Sequence, residues 1–147
     1  MRMALAQARR GAALNEVPVG ALVVKENRLV GVGFNQPIGT HDPTAHAEMV
    51  AMRDAACTLG NYRLSGCDLY VTLEPCGMCV GGIVHARIRR VVFGASEPKS
   101  GACVSRHRGF EQPWLNHRVE ATGGVLAPQA SALMSEFFAR RRQESKQ

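Results

Sequence analysis

Two hydrophobic periods alternate along the chain. Met1 to Asn15 is alanine-rich and reads as a helix that stops before Val17-Pro18, since a residue preceding proline avoids the helical region. Val19 to Val24 is a short unbroken apolar run, the pattern of a buried strand. After Glu26-Asn27-Arg28, Leu29 to Phe34 repeats that pattern, which predicts a hairpin. Asn35 to Thr44, with Pro37, Gly39 and Pro43, has no period and is expected to be a loop. From Ala45 the apolar positions Met49, Met52, Ala56 and Leu59 recur at helical spacing until Gly60-Asn61, with Pro43-Thr44 as the lead-in and N-cap. Asp68 to Leu73 is β-rich, and a second periodic stretch carries Cys79, Ile83 and Val84 on to Arg87. Arg89 to Phe93 predicts a fourth strand and Gly94 to about Pro113 a loop, with a short fifth strand at Arg118 to Ala121. A last helix from Pro128 is expected to bury Ala130, Leu133, Met134, Phe137 and Phe138.

Strands interleaved with helices predict an α/β layer structure around a mixed sheet, its first two strands antiparallel and the later ones joined by helical crossovers. Residues 1–147 read as one domain, without internal repeat or linker. The first helix lacks an N-cap residue, so the natural chain is expected to begin further upstream. Hydrophobic residues at 46% and charged ones at 20% suit a soluble globular protein. No apolar run approaches the roughly eighteen residues that would suggest a membrane span, and no secretory signal is visible. Two of the five cysteines sit as C-x-x-C, leaving three, which argues for a reducing, cytoplasmic setting over a disulfide framework. The net charge of +6 hints at an anionic partner without identifying it.

Chemistry concentrates in His46-Ala47-Glu48 and Pro75-Cys76-Gly77-Met78-Cys79. One imidazole and two thiolates form a zinc ligand set better than a magnesium or calcium one, because those ions prefer oxygen. Cys76 and Cys79, spaced i, i+3, share a face of a helical turn, and Pro75 suits that helix's start, where the dipole favours thiolates. Positions i and i+2 of a regular helix point nearly oppositely, so His46 and Glu48 reach one ion only if it lies off the helix start. The paired motifs resemble the H-x-E and P-C-x-x-C signature of zinc deaminases, in which the carboxylate is a proton shuttle and not a ligand. The bland alternative is a closed structural zinc site, with Cys57, Cys67, Cys103 or another histidine as fourth ligand.

Glu16-Val17-Pro18-Val19-Gly20, His41-Asp42-Pro43-Thr44-Ala45-His46-Ala47-Glu48, Leu69-Tyr70-Val71-Thr72-Leu73-Glu74-Pro75-Cys76 and Phe137-Phe138-Ala139-Arg140-Arg141-Arg142 resemble the bacterial tRNA-specific adenosine deaminases along nearly the whole chain. The resemblance implies a three-layer cytidine deaminase-like fold: a mixed five-stranded sheet with helices on both faces. It also implies a homodimer, one Zn2+ per subunit held by His46, Cys76 and Cys79, Glu48 as the catalytic carboxylate, and adenosine-to-inosine conversion at the wobble position of a tRNA anticodon stem-loop. It assigns base contact to Asn35, the pocket wall to Val17, Ala47 and Pro75, and a ribose contact to Glu97, where the family usually carries Asp. Arg140, Arg142 and Lys99 become candidate phosphate contacts, although arginines ending a helix also complement its dipole. Arg106-His107-Arg108-Gly109-Phe110-Glu111 departs from the family pattern and is expected to face RNA or solvent. Two rival functions are compatible with the sequence: a deaminase of free purine bases or nucleosides, such as guanine, and a zinc-stabilised RNA-binding module without catalysis.

Overall fold

The computed structural model describes Met1–Gln147. Helix α1 (Arg2–Ala13) leads into the hairpin β1 (Gly20–Lys25) and β2 (Arg28–Phe34). Glu26 and Asn27 turn that hairpin with φ of 50° and 61°, the mirror-image turn that fits strand twist. A one-turn helix α2 (Pro37–Thr40) precedes the long α3 (Ala47–Leu59), which is followed by β3 (Cys67–Leu73), α4 (Gly77–His85) and β4 (Arg90–Ala95). A loop with a 3-10 turn at Gly109–Glu111 leads to β5 (Glu120–Thr122), and α5 (Ala127–Glu144) closes the chain.

The five strands lie in the order β2-β1-β3-β4-β5, antiparallel across the first three and parallel across the last three. Helices α1 and α5 pack together on one face, and α3 with α4 covers the other. This is the three-layer arrangement that the family resemblance implies. The principal core lies between sheet and helices and includes Val23, Leu69, Val71, Ile83, Ile88 and Val91, each wholly buried. Burying each such side chain is worth about 1.5–3 kcal/mol. On the α3 face the contact is close because small residues meet: a Cβ on Gly33 would stand 2.6 Å from the Ala47 carbonyl oxygen. Alanines 47, 51 and 55 therefore bring the helix almost onto the backbone of β2.

Several sequence expectations need correction. The stretch 35–44 is not all loop: Pro37 opens α2, and the Glu16 carboxylate accepts from the Ile38 and Gly39 N–H groups at 3.3 and 2.7 Å. Helix α3 is capped by His46 itself and not by Thr44. Strand β5 starts two residues and ends one residue later than expected, and the expected loop after β4 carries one 3-10 turn where a helical crossover to β5 was also expected. Phe138 is 42% exposed and does not belong to the core; Leu133 and Met134 are half-buried. No helix is long and apolar enough to cross a membrane.

Candidate active site

His46 and Cys76 occupy equivalent places: each is the N-cap residue of a helix, α3 and α4, and each has extended backbone (ψ 153° and 175°). Neither side chain makes the usual N-cap hydrogen bond, and the His46 ring and the Cys76 sulfur turn toward each other instead. Because His46 is extended, the opposition of positions i and i+2 in a regular helix does not apply, and Glu48 turns back toward the same point. Cys79 lies in the first turn of α4, buried. The carboxyl end of β3 delivers Glu74-Pro75-Cys76, so the site sits where parallel strands β3 and β4 end, the usual crevice of an open α/β sheet.

The Cys76 and Cys79 sulfurs each stand 3.5 Å from His46 Nδ1. A tetrahedral zinc ion with bonds of about 2.0–2.1 Å to nitrogen and 2.3 Å to sulfur sets its ligands about 3.5 Å apart, so the three atoms fit that ion. The charges agree with this. Cys76 is held down to about 3, first by hydrogen bonding with Cys79 and then by His46. Cys79 is pushed up by its contact with Cys76 and by burial. The pair thus shares one negative charge, and a cation between the sulfurs is what would displace the second proton. Cys57, Cys67 and Cys103 are not part of the cluster, so the closed four-ligand alternative finds no fourth protein ligand here.

Glu48 is 4% exposed. Burial pushes its carboxyl up to about 7, only partly offset by its own backbone N–H and by His46. A carboxyl poised there exchanges protons efficiently at neutral pH.

A cavity of about 100 Å³ opens beside these groups, lined by Val17, Val19, Asn35, His46, Glu48, Leu73, Glu74, Cys76, Glu97 and Ser100. It brings together Asn35, Val17 and Glu97 from the sequence-predicted substrate set. Asn35 Oδ1 accepts the Ala47 N–H at 2.7 Å, which fixes the side-chain amide with its donor side free. Ala47 acts through that N–H, its side chain being wholly buried. Pro75 is also fully buried and outside the lining, and its carbonyl accepts from Ala102 at 2.8 Å. Glu97 Oε1 accepts the Lys99 N–H at 2.9 Å.

The basic candidates separate. Lys99 and Arg142 line an open groove of about 530 Å³ with Pro98, Met134, Ser135 and Phe138, and Glu97 belongs to both groove and cavity. Arg140 is engaged within the molecule: it lies over the Phe137 ring, 3.8 Å from Glu144, and donates to the Ala12 carbonyl. In the divergent loop, Arg108 pairs with Glu111 at 3.2 Å, and His107 lines a hollow beside α4 instead of the cavity.

Sequence reasoning passed over Glu74. It is 2% exposed, and burial alone would raise its pKa, but hydrogen bonds from Ser105, Val104 and Glu97 outweigh that and hold it below the usual carboxylate range. An acidic residue closing an apolar strand beside the metal motif was the available signal.

The family model of the cytidine and deoxycytidylate deaminase zinc-binding region matches residues 1–95. A tRNA-specific adenosine deaminase of Haemophilus influenzae is 51% identical over 99% of this chain and 85% of its own length. A structure solved in a study of A-to-I editing by tRNA:A34 deaminases at the wobble position of transfer RNA superposes with a TM-score of 0.88 and 42% identity, covering 90% of this chain and 96% of that one. A guanine deaminase from Nitrosomonas europaea superposes with a TM-score of 0.80 at 25% identity, over 94% and 82%.

Proposed function

Because the chain belongs to the cytidine and deoxycytidylate deaminase zinc-binding family and, within it, to the tRNA-specific adenosine deaminases, we propose that it converts adenosine to inosine at the wobble position of a tRNA anticodon. The observation that carries the chemistry is a buried carboxyl beside three zinc-type ligands, all at one small cavity.

His46 Nδ1 and the two cysteine sulfurs would hold the metal, one ion per subunit. Zinc in such a set supplies Lewis acidity that lowers the pKa of a coordinated water to about 7. Glu48 accepts a proton from the nucleophilic water on its carboxylate and returns it to the departing amino group, so that oxygen replaces the 6-amino nitrogen and ammonia leaves. Asn35, locked by Ala47, presents its amide N–H groups to the base. Val17, Val19 and Leu73 shield the base from water. So small a cavity suits a base turned out of the anticodon stack, and unstacked loop bases are what RNA-binding proteins commonly read.

The groove that shares Glu97 with the cavity supports an RNA backbone running past Lys99 and Arg142, and the net charge of +6 supports an anionic partner. Identities of 51% and 42% to tRNA-acting relatives, against 25% to the guanine deaminase, favour RNA over a free base. The reading includes a homodimer, supported by the apolar hollow along α4 lined by Val80, Val84 and Leu115, with Trp114 75% exposed at its rim. It includes a cytoplasmic setting, supported by the three cysteines outside the metal cluster, Cys57, Cys67 and Cys103, which are unpaired.

The test is turnover of an anticodon stem-loop with wobble adenosine, run beside free adenosine, adenine and guanine. Deamination confined to the stem-loop is the expected result. Turnover of a free base with the stem-loop untouched would place the chain with the small-molecule deaminases.

A further inference from the structure

Glu74 is a buried carboxylate with five hydrogen bonds and no cation among its partners. Oε2 accepts the N–H groups of Cys103, Val104 and Ser105 at 3.2, 2.9 and 2.9 Å. Oε1 accepts the Glu97 N–H at 3.1 Å and the Ser105 hydroxyl. All five donors belong to the single stretch 97–105, so one side chain gathers a whole loop around itself, in the manner of a backbone nest holding an anion.

That loop also bonds the metal-ligand segment. Gly101 bridges to Cys76, and the Ala102 N–H donates to the Pro75 carbonyl at 2.8 Å. The close approach requires glycine at 101, where a Cβ would stand 2.5 Å from the Glu74 carboxyl carbon and from the Glu97 carbonyl oxygen. The same loop supplies Glu97 and Ser100 to the cavity lining and Lys99 to the adjoining groove.

We infer that Glu74 is a positioning residue, whose carboxylate sets the 97–105 loop against the cavity so that Glu97, Ser100 and Lys99 meet the nucleotide substrate. It lines the cavity, but both carboxylate oxygens are taken up by the loop and neither bonds a His46, Cys76 or Cys79 side chain. The inference rests on the deaminase reading for its substrate. Its geometric content, that one carboxylate orders one loop, stands apart from that reading.

The test compares wild type with Glu74→Gln, which keeps the shape but replaces an acceptor oxygen by a donor facing N–H groups. Zinc content, far-UV circular dichroism, and kcat and KM for the stem-loop are measured together with amide hydrogen exchange across 97–105. Expected is a folded, zinc-loaded variant with KM raised roughly tenfold to hundredfold, kcat changed much less, and faster exchange confined to the loop. Ser105→Ala, which removes one bond without stranding the charge, should move KM and exchange in the same direction by about threefold.

A folded Glu74→Gln with wild-type KM and exchange overturns the inference. So does loss of zinc with kcat falling and KM unchanged, which would assign Glu74 to the metal. If Glu74→Gln does not fold, Ser105→Ala decides, and unchanged KM and loop exchange overturn it. If the wild type itself leaves the stem-loop unreacted, the substrate reading fails, while exchange across the loop still decides what Glu74 does.

Discussion

Replacing Gly33 with alanine tests how the fold carries the site. The new Cβ would lie 2.6 Å from both the Ala47 carbonyl oxygen and the Ala51 nitrogen, whereas ordinary contacts begin at 3.4 Å. Both neighbours are backbone, so α3 itself must retreat, by roughly 0.4–0.8 Å on those distances. Overpacking of this kind costs about 1–3 kcal/mol. For a chain of this length that lowers Tm by about 3–9 °C. Ala47 directly follows His46 and precedes Glu48, so the displacement passes into the proposed metal ligand and the proposed proton shuttle. A misplacement approaching 1 Å reduces turnover by about tenfold to hundredfold. Gly31→Ala is the control: its Cβ would press on the Ala51 oxygen and Ala55 nitrogen, further along the helix from the ligands. Both variants should lose similar Tm, while kcat measured well below either midpoint falls much further in Gly33→Ala. Wild-type kcat in a destabilised Gly33→Ala, or equal kcat losses in the two variants, would refute the reasoning.

Three further outcomes follow from the same geometry. Asp68, 6% exposed, is raised by burial but drawn down more strongly by Arg89 and Arg90, which bond it at 2.8–3.0 Å. Its lowered folded pKa means the stabilisation is present above the usual carboxylate range and is lost as pH falls through that lowered value. Asp68→Asn should therefore cost about 1–3 kcal/mol at neutral pH and flatten the acid limb of a stability-pH curve measured by urea titration. Stripping the metal with a chelator should abolish turnover and lower Tm by about 8 °C relative to protein in zinc at a hundredfold excess over Kd, worth about 2.7 kcal/mol. Differential scanning calorimetry reads this shift, and zinc, not magnesium or calcium, should restore both properties. Stem-loop affinity should fall with log salt at a slope near −3.5 if about five phosphates are neutralised, and Arg142→Ala should reduce the slope by about 0.7. Arg140→Ala, which removes contacts to Phe137, Glu144 and Ala12, should lower Tm more than it changes the slope.

The clustering of His46, Cys76 and Cys79 was legible because the spacing is local: a C-x-x-C places two sulfurs on one helical turn, and H-x-E places the imidazole and the carboxyl within three residues. Strand and helix types followed from period, since β1 and β4 are largely apolar runs and α3 keeps its 3/4 spacing to Leu59. What the sequence hid depends on distant partners. Helix α2 is held by Glu16, more than twenty residues away, and nothing local in Pro37-Ile38-Gly39-Thr40 announces it. Thr44 has the better capping side chain, yet the cap falls at His46, whose side chain reaches across to Cys76 and Cys79 instead of bonding its own helix. The Glu74 network joins residues 23 to 31 apart, a separation no periodicity reports. Phe138 shares a helical period with Phe137 but lies on the groove side of α5, which a one-chain pattern cannot separate from core.

The central claim is that Glu48 and the His46-Cys76-Cys79 centre together hydrolyse a wobble adenosine. Its most direct test is single-turnover reaction of the stem-loop in oxygen-18 water, with the product base identified by mass spectrometry and Glu48→Gln run at equal zinc content. The expected product is inosine carrying oxygen-18 at position 6, formed by wild type and lost by about two to four orders of magnitude in the variant. Zinc-loaded Glu48→Gln reacting at the wild-type rate, or inosine without the label, would contradict it.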